Sequence, residues 1–160
     1  MSQMPAALER LRYAVRTLPG VLAGYSEAES EQRPSPERWT MKEVVGHLID
    51  SASNNHQRFV RAQFQDELVF PGYDQDEWMS VQRHQERPWL ELVEQWRLMN
   101  LHLAHVMEGI PEAQRLRKRT RHNLHQIAWR AIPVDRPVTL QYFLEDYVGH
   151  LEHHLEQALL

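Results

Sequence analysis

The sequence predicts an all-α protein, a four-helix bundle with long crossover connections, on three observations. Four long segments carry apolar residues at helical spacing. No stretch shows the period-two alternation of a half-buried strand, and the later connections are longer than antiparallel hairpins need. At 160 residues the chain suits one domain, taken as 1–160.

The first helix is expected from about Pro5 to Gly24, where Leu8, Leu11, Val15, Leu18 and Leu22 share a face and Pro19-Gly20 marks a kink or break. Ser26 and Glu29 form a capping box for a short turn that Pro34 and Pro36 stop. Thr40 and Glu43 make a second capping box, opening a helix to about Gln65 with the stripe Met41, Val45, Leu48, Ala52, Phe59. A loop with Pro71-Gly72 follows, and Asp74 caps a short helix through Trp78 and Val81. Pro88 suits the first turn of the third long helix, which ends at Gly109 with Pro111 behind it. Its stripe is Trp89, Leu92, Val93, Trp96, Met99, Leu103, Met107. Residues 111–137 read as a short helix and a long basic connection, and Thr139 caps the last helix, which runs to the C-terminus.

Composition narrows the chemistry. With no cysteine, the chain offers neither disulfides nor thiolate ligands nor a thiol nucleophile, so a metal must be held by nitrogen and oxygen. A hydrophobic content of 42%, a charged content of 25% and a mean hydropathy of -0.62 place the chain in the globular class, without an apolar run long enough for a membrane span. The N-terminal stretch Met1 to Arg10 lacks the pattern of a signal peptide, which leads us to expect the cytoplasm. A net charge of -4 gives no general attraction for nucleic acid. The local basic run Arg115, Arg117, Lys118, Arg119, Arg121 is read as a solvated loop or helix end; as a binding surface it would suit the carboxylates of a small acidic cofactor.

Ten histidines make chance pairs common, so each has to be judged by its helix face. On the last helix, Leu140, Phe143, Leu144, Tyr147, Leu151, Leu155 and Ala158 define the buried side; His154 falls within it and His150 at its edge. Two imidazoles one turn apart on a buried face reach one metal ion, which supplies a partner for both; the alternative is two core histidines hydrogen-bonded to Tyr147, Asp146 or backbone. A third histidine at the bundle interior would complete a site with open coordination positions, as a catalytic metal requires. His153 points toward Glu152 and Glu156 and stays outside. His102 and His105 lie opposite their helix's stripe, and His84, His122 and His125 sit in or near loops. For the third ligand, periodicity leaves His47 and His56 open: His56 is nearer the stripe and His47 lies on its flank.

The run Trp39-Thr-Met-Lys-Glu-Val-Val-Gly-His47-Leu-Ile-Asp50, followed at the end of the chain by Thr139-Leu-Gln-Tyr-Phe-Leu-Glu-Asp-Tyr-Val-Gly-His150-Leu-Glu-His-His154, resembles the DinB-like superfamily of YfiT-type metalloenzymes. The resemblance covers the chain from the first helix to Leu160 and includes Tyr73-Asp-Gln-Asp-Glu-Trp78. It implies His47, His150 and His154 as ligands of a divalent metal, often zinc or nickel. It further implies a four-helix bundle, frequent homodimerisation, and activities that include transfer of a small thiol such as bacillithiol, mycothiol or glutathione to an electrophile. The expectation is therefore a metal-dependent enzyme, a thiol S-transferase or a hydrolase, with thiol transfer favoured; other relatives bind metal without an established reaction, so a non-catalytic, stress-associated metal-binding protein is the alternative.

Glu43, Asp50 and Asp146, each about a turn from one of these histidines, are the carboxylates positioned to accept a free ring N–H and orient a ligand; otherwise Glu43 is a capping carboxylate and the two aspartates are solvated. Tyr147 is placed in the core, where its hydroxyl has the option of reaching a bound ligand. Trp39, Trp78, Trp89, Trp96 and Trp129 are candidates to line an apolar pocket, and most are assigned to core or dimer contact.

Overall fold

The computed structural model describes residues 5–160; residues 1–4 of the N-terminal stretch lie outside it. Eight helices follow in order: α1 (Ala6–Ala23), α2 (Glu27–Glu31), α3 (Met41–Arg61), α4 (Gln75–Gln82), α5 (Trp89–Glu108), α6 (Glu112–Leu116), α7 (Leu124–Ile127) and α8 (Leu140–Leu159), with a 3-10 turn (His84–Glu86) between α4 and α5. The four long ones, α1, α3, α5 and α8, bury the anticipated stripes in one apolar core. No helix among the described residues is long and apolar enough to cross a membrane.

Helix ends follow their capping chemistry, with two corrections. The Ser26 box is complete, because Ser26 Oγ accepts from Glu29 N and the Glu29 carboxylate accepts from Ser26 N. Thr40 caps α3 by accepting from Glu43 N at 3.1 Å, but the Glu43 carboxylate is drawn to the Arg33 guanidinium instead of returning to the cap. α1 continues through Pro19, whose missing N–H and fixed φ are absorbed near the end of the helix. Asp74 and Thr139 cap α4 and α8 as expected.

α1 and α3 each pack against both α5 and α8, so α1 and α3 lie on one diagonal and α5 and α8 on the other. Glu27 accepts from both Lys42 Nζ and Trp89 N, which places the starts of α3 and α5 together. His56 and His102 meet further along, so these two helices run parallel. The chain must therefore travel back along the bundle between them, and residues 62–88 are that crossover. α8 runs antiparallel to α3: the Phe59 ring meets Phe143 at 5.5 Å, and His47, near the start of α3, meets His150, late in α8.

The basic run is a clasp, not a solvated loop. Arg119 is buried and donates to the carbonyls of Ala62, Gln65 and Gln114, while Arg115 is buried against Gln141. Arg117 and Arg121 pair with Asp66 and Glu67, so these groups fasten the connection after α5 to the segment after α3. Two lone bridges, Leu68 with His122 and Arg119 with Val138, complete that fastening. His122 belongs to it: buried, with Nε2 donating to Arg136 O at 2.7 Å and Nδ1 accepting from Leu124 N.

His84 is also structural. Arg83 takes a left-handed conformation (φ 53°) that turns the chain out of α4 and lays the His84 ring on α3 at Gly46. There His84 Nε2 donates to Asp50 Oδ1 at 3.0 Å, and Gln82 donates to the same oxygen. A Cβ at position 46 would stand 2.6 Å from that ring. Gly46→Ala is therefore expected to destabilise the protein by about 1–3 kcal/mol through overpacking, although helix propensity alone favours alanine by about 1 kcal/mol. Urea unfolding reads the sign directly.

Candidate metal centre

Each histidine of the cluster is placed by an identifiable local device. His47 lies in the second turn of α3, whose start is set by the Thr40 cap. The residue before that cap, Trp39, is thereby turned over the site: its ring stacks on His154 with centroids 5.8 Å apart and an interplanar angle of 16°, and lies 5.0 Å from His47. His150 and His154 are one turn apart on α8 and face α3 across the helix contact. Val45-Gly46-His47-Leu48 and Val148-Gly149-His150-Leu151 repeat one pattern on the two helices. In both, the missing Cβ before the histidine admits an aromatic ring, His84 at Gly46 and Trp129 at Gly149, where a Cβ would stand 3.2 Å from Trp129 Cζ3.

Three ring nitrogens converge. His150 Nε2 lies 3.2 Å from His47 Nε2 and 3.0 Å from His154 Nε2. These separations approach the spacing of about 3.3 Å between two nitrogens on one tetrahedral ion with bonds of about 2.0–2.1 Å. Hydrogen bonding among the rings does not account for them. Each Nε2 carries either one hydrogen or one in-plane lone pair, so His150 Nε2 satisfies one neighbour well and leaves the other. A shared cation satisfies all three.

Electrostatics prepares the same donor set. Burial, reinforced by the positive charge that His154 would carry, pushes the His47 pKa down to about 4. Burial and the neighbouring His154, His47 and His153 push His150 down to about 3. His154 is lowered by burial and by His153. All three are thus neutral at pH 7 and present lone pairs. His47 Nδ1 is buried without a hydrogen-bond partner.

The remaining sequence candidates are placed as follows. The carboxylates of Glu43, Asp50 and Asp146 are engaged away from the three imidazoles: Glu43 with Arg33, Asp50 with His84 and Gln82, and Asp146 with the amides of Trp129 and Arg130 at 2.9 and 2.8 Å. Asp146 thereby ties the 128–130 segment to α8 one turn before His150, and burial raises its pKa. His56 is half-buried beside His102, away from the cluster. His153 rests against Trp129 at 5.2 Å. Trp89 and Trp96 are core residues, whereas Trp39 and Trp129 flank the histidines.

His47 and His150 open onto a cleft of about 390 Å³ between α3 and α8, roofed by residues 72–75 and 126–129. That volume is at the lower end of the range for small-molecule sites. The wall is mixed: Ser51, Asn55 and Arg58 from α3, Phe143, Asp146 and Tyr147 from α8, and Tyr73 from the roof.

The sequence model of the DinB superfamily matches residues 7–158. The chain belongs to the DinB superfamily. Its architecture is similar to that of YfiT from Bacillus subtilis, with a TM-score of 0.76 over 96% of this chain and 82% of that one, at 17% sequence identity. YfiT is described as a probable metal-dependent hydrolase with an unusual four-helix bundle topology. At this identity the likeness establishes the DinB-type bundle and leaves the chemistry to the residues. No curated protein matches.

Because their folded-state pKa values lie below the unfolded value of about 6.5, His47 and His150 contribute stability that is present above pH 6.5 and lost as pH falls toward about 4 and about 3. In the metal-free protein, each is expected to lower unfolding free energy by up to about 1.4 kcal/mol per pH unit between pH 6.5 and 5. Urea titrations of wild type and His150→Asn should show the shallower slope in the variant; equal slopes would contradict the burial argument.

Proposed function

We propose that this protein is a metal-dependent enzyme in which His47, His150 and His154 hold a divalent cation, zinc or nickel, and a small thiol is transferred to an electrophile in the adjoining cleft. The convergence of three neutral imidazole nitrogens, two of them on rings that border that cleft, supports the reading. A divalent ion with open positions supplies Lewis acidity and makes a thiol or water acidic near neutral pH. The chain has no cysteine, so the sulfur arrives on a cosubstrate. Hydrolysis, with water as the nucleophile, is the second reading, favoured by the description of the structurally similar YfiT. A cytoplasmic homodimer, implied by the family resemblance, belongs to the same proposal.

The protein's own groups have separable roles. Two carboxylates line the cleft, and Asp74 is committed to capping α4. Asp146 is buried, its pKa is raised by that burial, and its amide contacts fix its orientation. It is the group we assign to accept the proton released by the nucleophile. Tyr147 donates its hydroxyl hydrogen to Asn100 Oδ1 and burial raises its pKa far above neutrality, so it holds its proton and serves as a fixed dipole. Trp39 and Trp129 cover the histidines from two sides and restrict water.

Zinc- or nickel-loaded protein is expected to accelerate thiol-dependent loss of halide from an aryl halide above the uncatalysed rate, and metal-stripped protein to return it to background. Asp146→Asn should lower the rate by about 10²- to 10⁴-fold with metal content unchanged. Acceleration of ester cleavage without thiol would favour hydrolysis. Fully loaded protein that accelerates neither reaction would leave a non-catalytic metal-binding protein.

A further inference from the structure

α3 presents a polar line to the cleft. Ser51, Asn55 and Arg58 follow His47 at steps of four, four and three residues, which keeps them on one helix face, and all four are buried on the cleft wall. Arg58 stands at the far end of that line. Its Nη2 donates to Pro71 O at 3.0 Å, its Nη1 reaches Asn55 Oδ1 only at 3.4 Å, and its Nε is buried without a partner.

Among the described residues no carboxylate forms an ion pair with this guanidinium, and the ionisable side chain set beside it is Tyr73. The rings of Tyr73 and Phe143 lie 5.7 and 5.9 Å from its Cζ. Arg119, the other deeply buried arginine with an unpartnered Nε, gives its terminal nitrogens to three carbonyls and lines no cavity described above. Arg58 has one good acceptor and borders the cleft. A buried, permanently charged group of this kind calls for an anion, and a planar fork matches a carboxylate.

We propose that Arg58 is an anion subsite, and that the molecule held at the histidine cluster by a thiol carries a carboxylate at its other end. The inference rests on the metal-centre reading for the thiol end alone. Eleven residues of helix separate His47 from Arg58, about 16 Å along the axis at 1.5 Å per residue. The Arg58 side chain leans back toward the helix N-terminus, which shortens the gap. A ligand bound at both ends is thus elongated and unbranched enough to pass between Tyr147 and the roof at Tyr73. A thiol of similar length without the acid would keep only one anchor, so the subsite selects among thiols by charge.

The subsite is tested apart from the metal by following the Arg58 Nε–H resonance of metal-free protein, assigned by its loss in Arg58→Lys. Octanoate should shift that resonance and octanol should not. Zinc-loaded protein should then bind ω-mercaptooctanoate about 10- to 100-fold more tightly than ω-mercaptooctanol, the range expected for a charge-assisted hydrogen-bonded contact. Arg58→Met should erase the difference and Arg58→Lys restore part of it. If the acid and the alcohol act alike on the resonance and in binding, the anion subsite is wrong. If octanoate shifts the resonance but zinc adds no affinity for the thiol acid over octanoate, the subsite stands and the metal–thiol reading fails. The octanoate and octanol comparison uses wild type, so it decides the matter even if Arg58→Met does not fold.

Discussion

Three converging imidazole nitrogens, with His150 Nε2 about 3 Å from each of the other two, drawn in from bulk water and uncharged at neutral pH, impose a demand that the bundle has to meet. The three rings on their own leave at least one ring nitrogen without a proper partner, and below pH 6.5 they resist the protonation that an unfolded chain accepts. Much of the surrounding architecture keeps the cluster in place. The antiparallel contact of α3 and α8 sets two helices face to face, the Thr40 cap turns Trp39 over the rings, and the glycine before each of His47 and His150 lets a neighbouring ring close in. Asp146 holds the segment that carries Trp129 against α8, so one carboxylate supports the roof of the cleft.

The four long helices, their stripes and most of their caps were legible in the sequence because each depends on local spacing. The pair His150 and His154 was legible for the same reason. The choice between His47 and His56 was not. From Lys42 to Ala52 every residue of α3 is buried, since α4, the 3-10 turn and Trp39 enclose its first half along with the long helices. A periodicity argument assumes one buried face, and here there is none to find. Resemblance to a family resolved what spacing could not.

The same enclosure explains other misplacements. His84 and His122 lie in irregular segments where periodicity is silent, yet both are buried and hydrogen-bonded, because a connection folded onto the bundle must satisfy its polar groups internally. The arginine run reads as solvated by composition, but two of its members cap carbonyls or pack against α8 from buried positions. Glu43 and Asp50 sit a turn from His47, and both are claimed by partners distant in sequence, Arg33 and His84. Helical proximity on its own did not identify which partner a carboxylate chooses.

Whether the three histidines form one metal site is decided by elemental analysis of tag-free protein. Wild type, His47→Ala, His150→Ala and His56→Ala would each be loaded with zinc or nickel and desalted. Near-stoichiometric metal is expected in wild type and His56→Ala, and its loss in His47→Ala and His150→Ala. Wild type that retains no metal, or His47→Ala and His150→Ala that retain it fully, would contradict the account and reduce the cluster to a packing arrangement.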